Sequence, residues 1–94
     1  MAILNFKHKG LRRLFEADDR SGIPAASAAK LGDMLAALDG AESLADLRVV
    51  PGWRLHRLTG DLRGLWSMTV TANRRLVFRM DEGDVSDVDL MDYH

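Results

Sequence analysis

The apolar residues of this 94-residue chain change their spacing once, and that change constrains the fold more than any other feature. Up to Gly40 they recur at the three- and four-residue intervals of a helix, whereas from Trp53 onward they alternate with polar residues as in a strand. A chain with helices first and strands afterwards favours an α+β fold, with both helices on one side of a mainly antiparallel sheet.

The first part of the chain predicts a short strand and one helix. The strand covers residues 3–6, and the helix covers about residues 7–17. One face of this helix carries an apolar stripe made of Leu11, Leu14 and Phe15. This stripe is expected to pack on the sheet.

A second helix is predicted after the break at residues 18–22. Pro24 suits the first turn of a helix, where the missing N–H costs nothing, and Gly40 provides the stop. The residues between them that keep the helical period are Ala28, Leu31, Leu35 and Leu38. The two helices are therefore expected to form an antiparallel pair.

The remaining residues predict a four-stranded meander, which gives the order β-α-α-β-β-β-β. Its turns are indicated by Gly60 and Gly64, by Asn73-Arg74 and by Glu82-Gly83-Asp84. Two successive strands each place three apolar residues on one face, namely Trp66, Met68 and Val70, then Leu76, Phe78 and Met80. We expect the helices to cover this face, with Trp66 in the core, and the other face to stay open.

Strand alternation also sorts the polar residues, because successive side chains point to opposite faces. The open face is expected to receive Arg54, His56, Arg75, Arg79 and Tyr93. Alternation fixes the face and leaves the distances between these side chains open. We expect the hydroxyl of Ser67 to be hydrogen-bonded within the sheet.

Length and composition favour one compact domain spanning residues 1–94. No apolar run approaches the roughly 20 residues that span a bilayer, and the first residues lack the order of a signal peptide, so we expect a cytoplasmic protein without membrane contact. The chain has no cysteine, and its three histidines lack a metal-binding spacing. Neither a metal nor a cofactor is expected.

The net charge of −1 hides a strong segregation of charge along the chain. Residues 48–79 carry seven basic side chains, all arginine, against one acid, and residues 80–94 carry six acids and no base. Arginines suit bidentate contact with phosphate. An equally good interpretation is that the arginines pair with acids on the neighbouring strand and need no ligand.

Several short motifs occur in an order that is similar to one known family, the HigB branch of the RelE/ParE toxins of bacterial toxin–antitoxin systems. They are Phe6-Lys7-His8-Lys9-Gly10-Leu11, Gly22-Ile23-Pro24, Leu55-His56, Gly60-Asp61, Gly64-Leu65-Trp66-Ser67, Asn73, Arg75 and the closing Asp92-Tyr93-His94. The resemblance covers nearly the whole chain. It departs from the family at Thr59, where Lys is frequent, and at Arg74, where Trp is frequent.

The resemblance implies a RelE-like, microbial RNase-like domain that acts as a ribosome-dependent mRNA endonuclease. It implies neutralisation by a HigA-like helix-turn-helix antitoxin, with operator DNA reached only through that antitoxin, and 70S ribosomes and mRNA as the other partners. The catalytic set it implies is His56, Arg75, Asp92, Tyr93 and His94.

These residue types suit a metal-free phosphodiester cleavage in which the 2′-hydroxyl of the RNA is the nucleophile. Asp92 or a histidine could take its proton, and His56 or His94 could protonate the departing 5′-oxygen. Arg75 would stabilise charge on the phosphate, and Tyr93 would stack on a base or support a hydrogen bond. Contacts to RNA or the ribosome are expected from Lys7, Lys9, Arg12, Arg13, Arg54, Arg74 and Arg79.

Two other functions fit the same sequence class. A ParE-like toxin would bind gyrase without cutting RNA, although such proteins generally lack the terminal Asp-Tyr-His set. A decayed toxin would act only as an antitoxin-bound co-repressor.

Overall fold

Helices occupy the first half of the structure and strands the second. The computed structural model describes residues 1–92. The helices are α1 (Lys9–Ala17), α2 (Ala28–Gly40) and α3 (Leu44–Arg48), and the strands are β1 (His56–Arg57), β2 (Leu65–Thr71), β3 (Arg74–Asp81) and β4 (Asp84–Asp92). Within residues 1–92 no helix has the length and apolar character needed to cross a membrane.

The four strands form one antiparallel meander in the order β1-β2-β3-β4. Short turns at 72–73 and 82–83 join the last three strands, as the sequence predicts. Helices followed by an antiparallel sheet confirm the predicted α+β fold class, with α3 as an additional short helix. β1 is much shorter than predicted, because it pairs with β2 only through His56 and Arg57.

The main core lies between the helices and one face of the sheet. It contains apolar residues of α1, α2 and α3 and the inward residues of β2 and β3, among them Leu11, Leu35, Leu47, Met68 and Phe78. The predicted apolar face is therefore confirmed. Trp66 and Met80 lie at its margin and remain partly exposed, so Trp66 is not a central core residue.

The opposite face of the sheet is not fully open, which corrects the sequence-based expectation. Ser67 and Val77 lie opposite each other on β2 and β3 and are 1% and 3% exposed. Leu58 and Leu62, from the loop between β1 and β2, and Met91 of β4 surround them. The β1–β2 loop makes this second, smaller apolar cluster, which strand alternation alone does not predict.

The predicted first strand is reduced to two isolated bridges, which are parallel pairs of Ile3 with Val85 and of Phe6 with Val88. Between them β4 has a bulge at Asp87, whose φ is 52°. The side chain of Asn5 fills this interruption, because it accepts a hydrogen bond from the Asp87 N–H and donates one to its carboxylate, both at 2.9 Å. The bulge therefore prevents a continuous ladder while keeping the N-terminal segment beside β4.

Three helical details also differ from the prediction. The first helix begins at Lys9, because the ring of His8 accepts a hydrogen bond from Leu11 N–H (3.1 Å) and caps it. A 3₁₀ turn over Ala25–Ser27 precedes α2. α3 was not predicted, because its five residues are too few to show a helical period.

The loop after α1 is fixed by hydrogen bonds. Asp18 ends the helix in the left-handed region (φ 52°), and the Asp19 carboxylate accepts a hydrogen bond from the Ser21 N–H. Hydrogen bonds from Ser21 lower the pKa of Asp19, with a smaller contribution from the charge of Arg13. This exposed turn lies on the helical side of the molecule.

Candidate active site

A hollow lies on the face of the sheet opposite the helices, where the β1–β2 loop stands over β2, β3 and β4. Its volume is about 360 Å³. Its lining is apolar at the centre, with charged residues around it, and consists of His56, Leu58, Leu62, Ser67, Arg75, Val77, Met91 and Asp92. Three residues of the predicted catalytic set, from three different strands, therefore lie around one hollow.

The register of the sheet explains this arrangement. His56 pairs with Ser67, Ser67 with Val77, and Arg75 with Met91. Residues that pair across antiparallel strands point to the same face. The alternation that buries Leu76 and Phe78 on the helical side thus places Arg75 and Val77 in the hollow.

His56 is exposed at the edge of the hollow, and its ring is oriented by the backbone. The Nδ1 atom lies 3.0 Å from the carbonyl oxygen of Arg54. Arg54 has a positive φ of 49°, which turns this part of the chain before β1 starts. When Nδ1 donates its proton to this carbonyl, Nε2 accepts a proton in the neutral ring and donates one in the charged ring.

Arg75 is half-buried, and its guanidinium group is held by backbone carbonyl groups near the β2–β3 turn. Its Nη1 atom donates to the carbonyl oxygens of Thr71 (2.9 Å), Arg74 (3.3 Å) and Ala72 (3.5 Å). These three acceptors orient the guanidinium group at the edge of the hollow. A guanidinium held in this way suits electrostatic contact with an anionic group.

Asp92, at the end of β4, is a lining residue of the hollow, but the register places its side chain on the same face as Arg74 and on the opposite face from Arg75. It is opposite Arg74 in the register, and its Oδ1 atom is 3.2 Å from Arg74 Nε. This pair matches the intramolecular interpretation of the charge pattern. Tyr93 and His94, the other two predicted catalytic residues, lie outside the described residues.

The cations predicted to contact RNA do not form one surface. Lys9, Arg12 and Arg13 project from α1 on the helical side, and Arg13 pairs with Asp19 (3.7 Å). On the other face of the sheet, Lys7 and Arg79 line a smaller hollow beside the first, and Arg79 pairs with Asp87 (3.6 Å). Arg74 pairs with Asp92 at the end of β4, and Arg54 contacts His56 through its backbone carbonyl.

Sequence reasoning missed the groups that form the centre of the hollow. Leu58 and Leu62 come from a loop, where no period identifies inward residues. The predicted hydrogen bond of Ser67 is wrong, because its Oγ is buried without a hydrogen-bond partner among the described residues. Strand alternation places Ser67 on the same face of the sheet as His56 and Arg75. This shared face is the signal that could have identified Ser67 as a residue of the hollow.

Two further arginines were not singled out by the sequence. The guanidinium carbons of Arg48 and Arg57 lie 5.7 and 5.8 Å from the ring centroid of Trp66, at cation–π distance. Arg57 is the cross-strand partner of Trp66, whereas Arg48 comes from α3, which was not predicted. Within residues 1–92, no group of three or more His, Asp or Glu side chains is arranged to hold a metal ion.

Comparison with known proteins agrees with this fold and with these sequence motifs. The model of the HigB-like toxin family, described as the RelE-like toxin of the type II toxin–antitoxin system HigB, matches residues 4–94. Endoribonuclease HigB of Proteus vulgaris is 43% identical over 93 residues, which cover 98% of this chain and 99% of that protein. Toxin HigB-1 of Vibrio cholerae is 38% identical over 81 residues, which cover 85% of each chain.

Among solved structures, a YoeB/ParE toxin from Agrobacterium tumefaciens superposes with a TM-score of 0.56. The match covers 100% of this chain and 99% of that chain at 19% sequence identity. At this identity the likeness concerns the fold, which is the same arrangement of helices on an antiparallel sheet.

Proposed function

The chain belongs to the HigB-like family of RelE-like toxins of type II toxin–antitoxin systems, and from this premise we propose that it is an endoribonuclease that cuts translated mRNA in the ribosomal A site. A toxin of such a system has an antitoxin as its partner. The full-length relative from Proteus vulgaris is named an endoribonuclease, which supports RNA cleavage as the activity of this chain.

One observation carries the proposal. His56, Arg75 and Asp92 come from β1, β3 and β4, and they lie around one hollow on the face opposite the helices. They supply an imidazole, a guanidinium group and a carboxylate. This combination meets the needs of RNA cleavage by its own 2′-hydroxyl.

In the proposed reaction a base removes the proton of the 2′-hydroxyl, and the oxygen attacks the adjacent phosphorus. The bond from phosphorus to the 5′-oxygen breaks, and an acid protonates this oxygen. The products are a 2′,3′-cyclic phosphate and a free 5′-hydroxyl, so the step needs neither a metal nor a protein nucleophile. Each proton-transfer group contributes a factor of about 10² to 10⁴ in rate.

The geometry favours His56 as the acid. With Nδ1 hydrogen-bonded to the Arg54 carbonyl, a protonated His56 presents its Nε2–H outward, toward a phosphate above the hollow. Arg75 stabilises the negative charge on that phosphate. Asp92 or His94 serves as the base, and Asp92 does so only after its carboxylate leaves Arg74; His94 is also the second candidate for the acid.

Tyr93 and His94 follow Asp92 directly in the chain. Their roles in the proposal are contact with a base or a hydrogen bond for Tyr93 and proton transfer for His94.

Binding of the substrate relies on the ribosome. The chain has a net charge of −1, and Arg13, Arg74 and Arg79 are engaged in ion pairs. Weak global attraction for RNA is therefore expected, and the ribosome positions the mRNA over the hollow. The basic residues of α1, with Lys7, Arg54, Arg74 and Arg79, provide local contacts to RNA phosphates.

The other parts of the proposal follow from the family. The antitoxin is a HigA-like helix-turn-helix protein, and the toxin reaches operator DNA only through it. The site of action is the cytoplasm, where ribosomes translate mRNA.

The test is primer-extension mapping of an mRNA translated by purified ribosomes. We expect discrete cuts in the A site with the intact protein and none with His56→Ala or with a chain that lacks His94. The matched control is His8→Ala, which removes a histidine that caps α1 and does not line the hollow, so this variant should still cut. Its folded state is checked by circular dichroism.

Two results would overturn the proposal. A protein that stops growth without cutting mRNA on ribosomes points to a target such as gyrase. A protein that binds the antitoxin and does not affect growth when expressed alone is an inactive co-repressor.

A further inference from the structure

Ser67 has a position that the structure of the sheet does not explain. It is 1% exposed, and its Oγ has no hydrogen-bond partner within residues 1–92. Leaving a buried hydroxyl without a partner is costly, whereas an alanine at the same place would have no such cost. A serine of this kind indicates a partner that joins the protein from outside.

The residues around Ser67 indicate the chemistry of that partner. The floor around it is apolar, because Val77 lies opposite Ser67 on β3, and Leu58, Leu62 and Met91 form the walls. The volume of about 360 Å³ falls within the range of roughly 300–1,000 Å³ that is usual for small-molecule sites. The ligand is therefore partly apolar, with a polar edge that can meet a hydroxyl at the bottom.

The residues at the rim of the hollow indicate a further property of the ligand. His56 and Arg75 stand at the edge of the same hollow, and His56 is the residue that pairs with Ser67 across β1 and β2. A ligand seated here thus has a negative group at the rim and a flat apolar group with a polar edge below it. A nucleotide has this chemistry, since its base is joined through the ribose to the phosphate.

We propose that the hollow receives a nucleobase of the substrate RNA and that Ser67 Oγ hydrogen-bonds to the edge of this base. This inference rests on the proposed nuclease function and adds a residue that contributes to sequence preference. The Oγ is buried, so side chains that line the hollow must shift for the base to reach it. Because the strand fixes the position of the hydroxyl, bases that present different groups at that point are distinguished.

The experiment compares the intact protein with Ser67→Ala on ribosome-bound mRNAs that differ in one base at the cleavage position. We expect Ser67→Ala to reduce the ratio of rates between the best and the worst base by about five- to tenfold. The rate on the worst base should change by less than about twofold, because this base makes no hydrogen bond to lose. The melting temperature should be unchanged or higher, since no internal hydrogen bond is removed.

Ser86→Ala is the matched control. Ser86 is a half-buried serine of β4 that does not line the hollow, so its replacement should leave the base preference intact. An unchanged preference in Ser67→Ala, or a lowered melting temperature with the same loss on every base, would overturn the inference and leave Ser67 as a structural residue.

A second readout does not depend on cleavage. Adenosine, guanosine, cytidine and uridine 3′-monophosphates are added to the ¹⁵N-labelled protein, and the amide signals of Leu58, Ser67 and Val77 are followed. We expect these signals to shift by base-dependent amounts that become equal in Ser67→Ala. If the intact protein cuts no RNA but binds these nucleotides in this way, the proposed function fails while the base site stands; if it cuts RNA and no signal near the hollow moves, the base site fails.

Discussion

The same residue type has different roles in this protein because its hydrogen-bond partners differ. Arg74 and Arg79 contact carboxylates on β4, whereas Arg75, between them in the same strand, donates to three carbonyl oxygens. A carboxylate partner offsets the positive charge, and a carbonyl partner orients the guanidinium without neutralising it. Arg75 is also the arginine of β3 that lines the hollow, so its guanidinium is oriented by the backbone at the place where we propose that the phosphate binds.

Arg75→Lys tests this distinction. Lysine keeps the charge but lacks the planar guanidinium group. It therefore cannot make the hydrogen bonds to the Thr71 and Arg74 carbonyls and contact the phosphate at the same time. We expect the rate of cleavage on ribosomes to fall by about 10²- to 10³-fold, with a small change in melting temperature.

Arg63→Lys is the control for this change, because Arg63 is exposed and makes no ion pair with the described residues. It should cut at the normal rate. Equal activity of Arg75→Lys and the intact protein would exclude a role that needs the guanidinium geometry.

At the scale of elements, the period of the strands placed His56 and Arg75 on one face correctly. What it could not give was the cover over that face, since Leu58 and Leu62 belong to a loop without a period. It also missed the bulge at Asp87, because a bulge adds one residue and reverses the alternation beyond it. The predicted fold was therefore confirmed, while the depth of the hollow became visible only in the structure.

The bulge gives a prediction about the N-terminal segment. Asn5→Ala removes the two hydrogen bonds to Asp87, at 2.9 Å each, and leaves the backbone of a residue with positive φ without this support. We expect the free energy of unfolding to fall by about 1–2 kcal/mol, as measured by urea denaturation.

Ser86→Ala, next to Asp87 in β4, serves as the control, because Ser86 makes no such contact with Asn5. The free energy of unfolding of this variant should stay within about 0.5 kcal/mol of that of the intact protein. If Asn5→Ala has the same free energy of unfolding as the intact protein, the β-bridges of Ile3 and Phe6 are sufficient to hold the N-terminal segment against β4.

The contact between α1 and the loop before α2 gives another prediction. A Cβ added to Gly10 would lie 2.1 Å from the carbonyl oxygen of Gly22, a backbone atom that cannot move aside alone. We expect Gly10→Ala to lower the free energy of unfolding by about 1–3 kcal/mol, although alanine favours a helix. Thermal or urea denaturation measures the change.

Gly32→Ala in α2 is the opposite case, since nothing lies within 4 Å of the added methyl group. It should raise the stability by about 0.5–1 kcal/mol. If both alanines stabilise the protein, the backbones of α1 and the loop can separate at little cost, and the close approach has no structural role.

At the scale of the whole molecule, the charge blocks of the sequence meet in the sheet. The arginines of β3 lie beside the acids of β4, and the pairs Arg74–Asp92 and Arg79–Asp87 offset part of the positive field. The molecule therefore approaches RNA with a net charge of −1 and a local, not a global, positive potential. Acids near the hollow should limit binding of free RNA.

Asp89→Asn tests whether an acid near the hollow limits the binding of free RNA. Asp89 pairs with Val77 on the face of the hollow, is half-buried and accepts a hydrogen bond from the Leu90 N–H, which the side-chain oxygen of asparagine can also accept. Removing its charge should raise the affinity for single-stranded RNA by about twofold at low salt, as expected for one unit charge about 10 Å from a phosphate in water. Fluorescence anisotropy at two salt concentrations measures the effect, which should disappear at high salt.

Asp81→Asn removes the same charge at the β3–β4 turn, away from the hollow, and should have a smaller effect. Equal gains from both changes would show that net charge, not charge near the hollow, governs the binding of RNA.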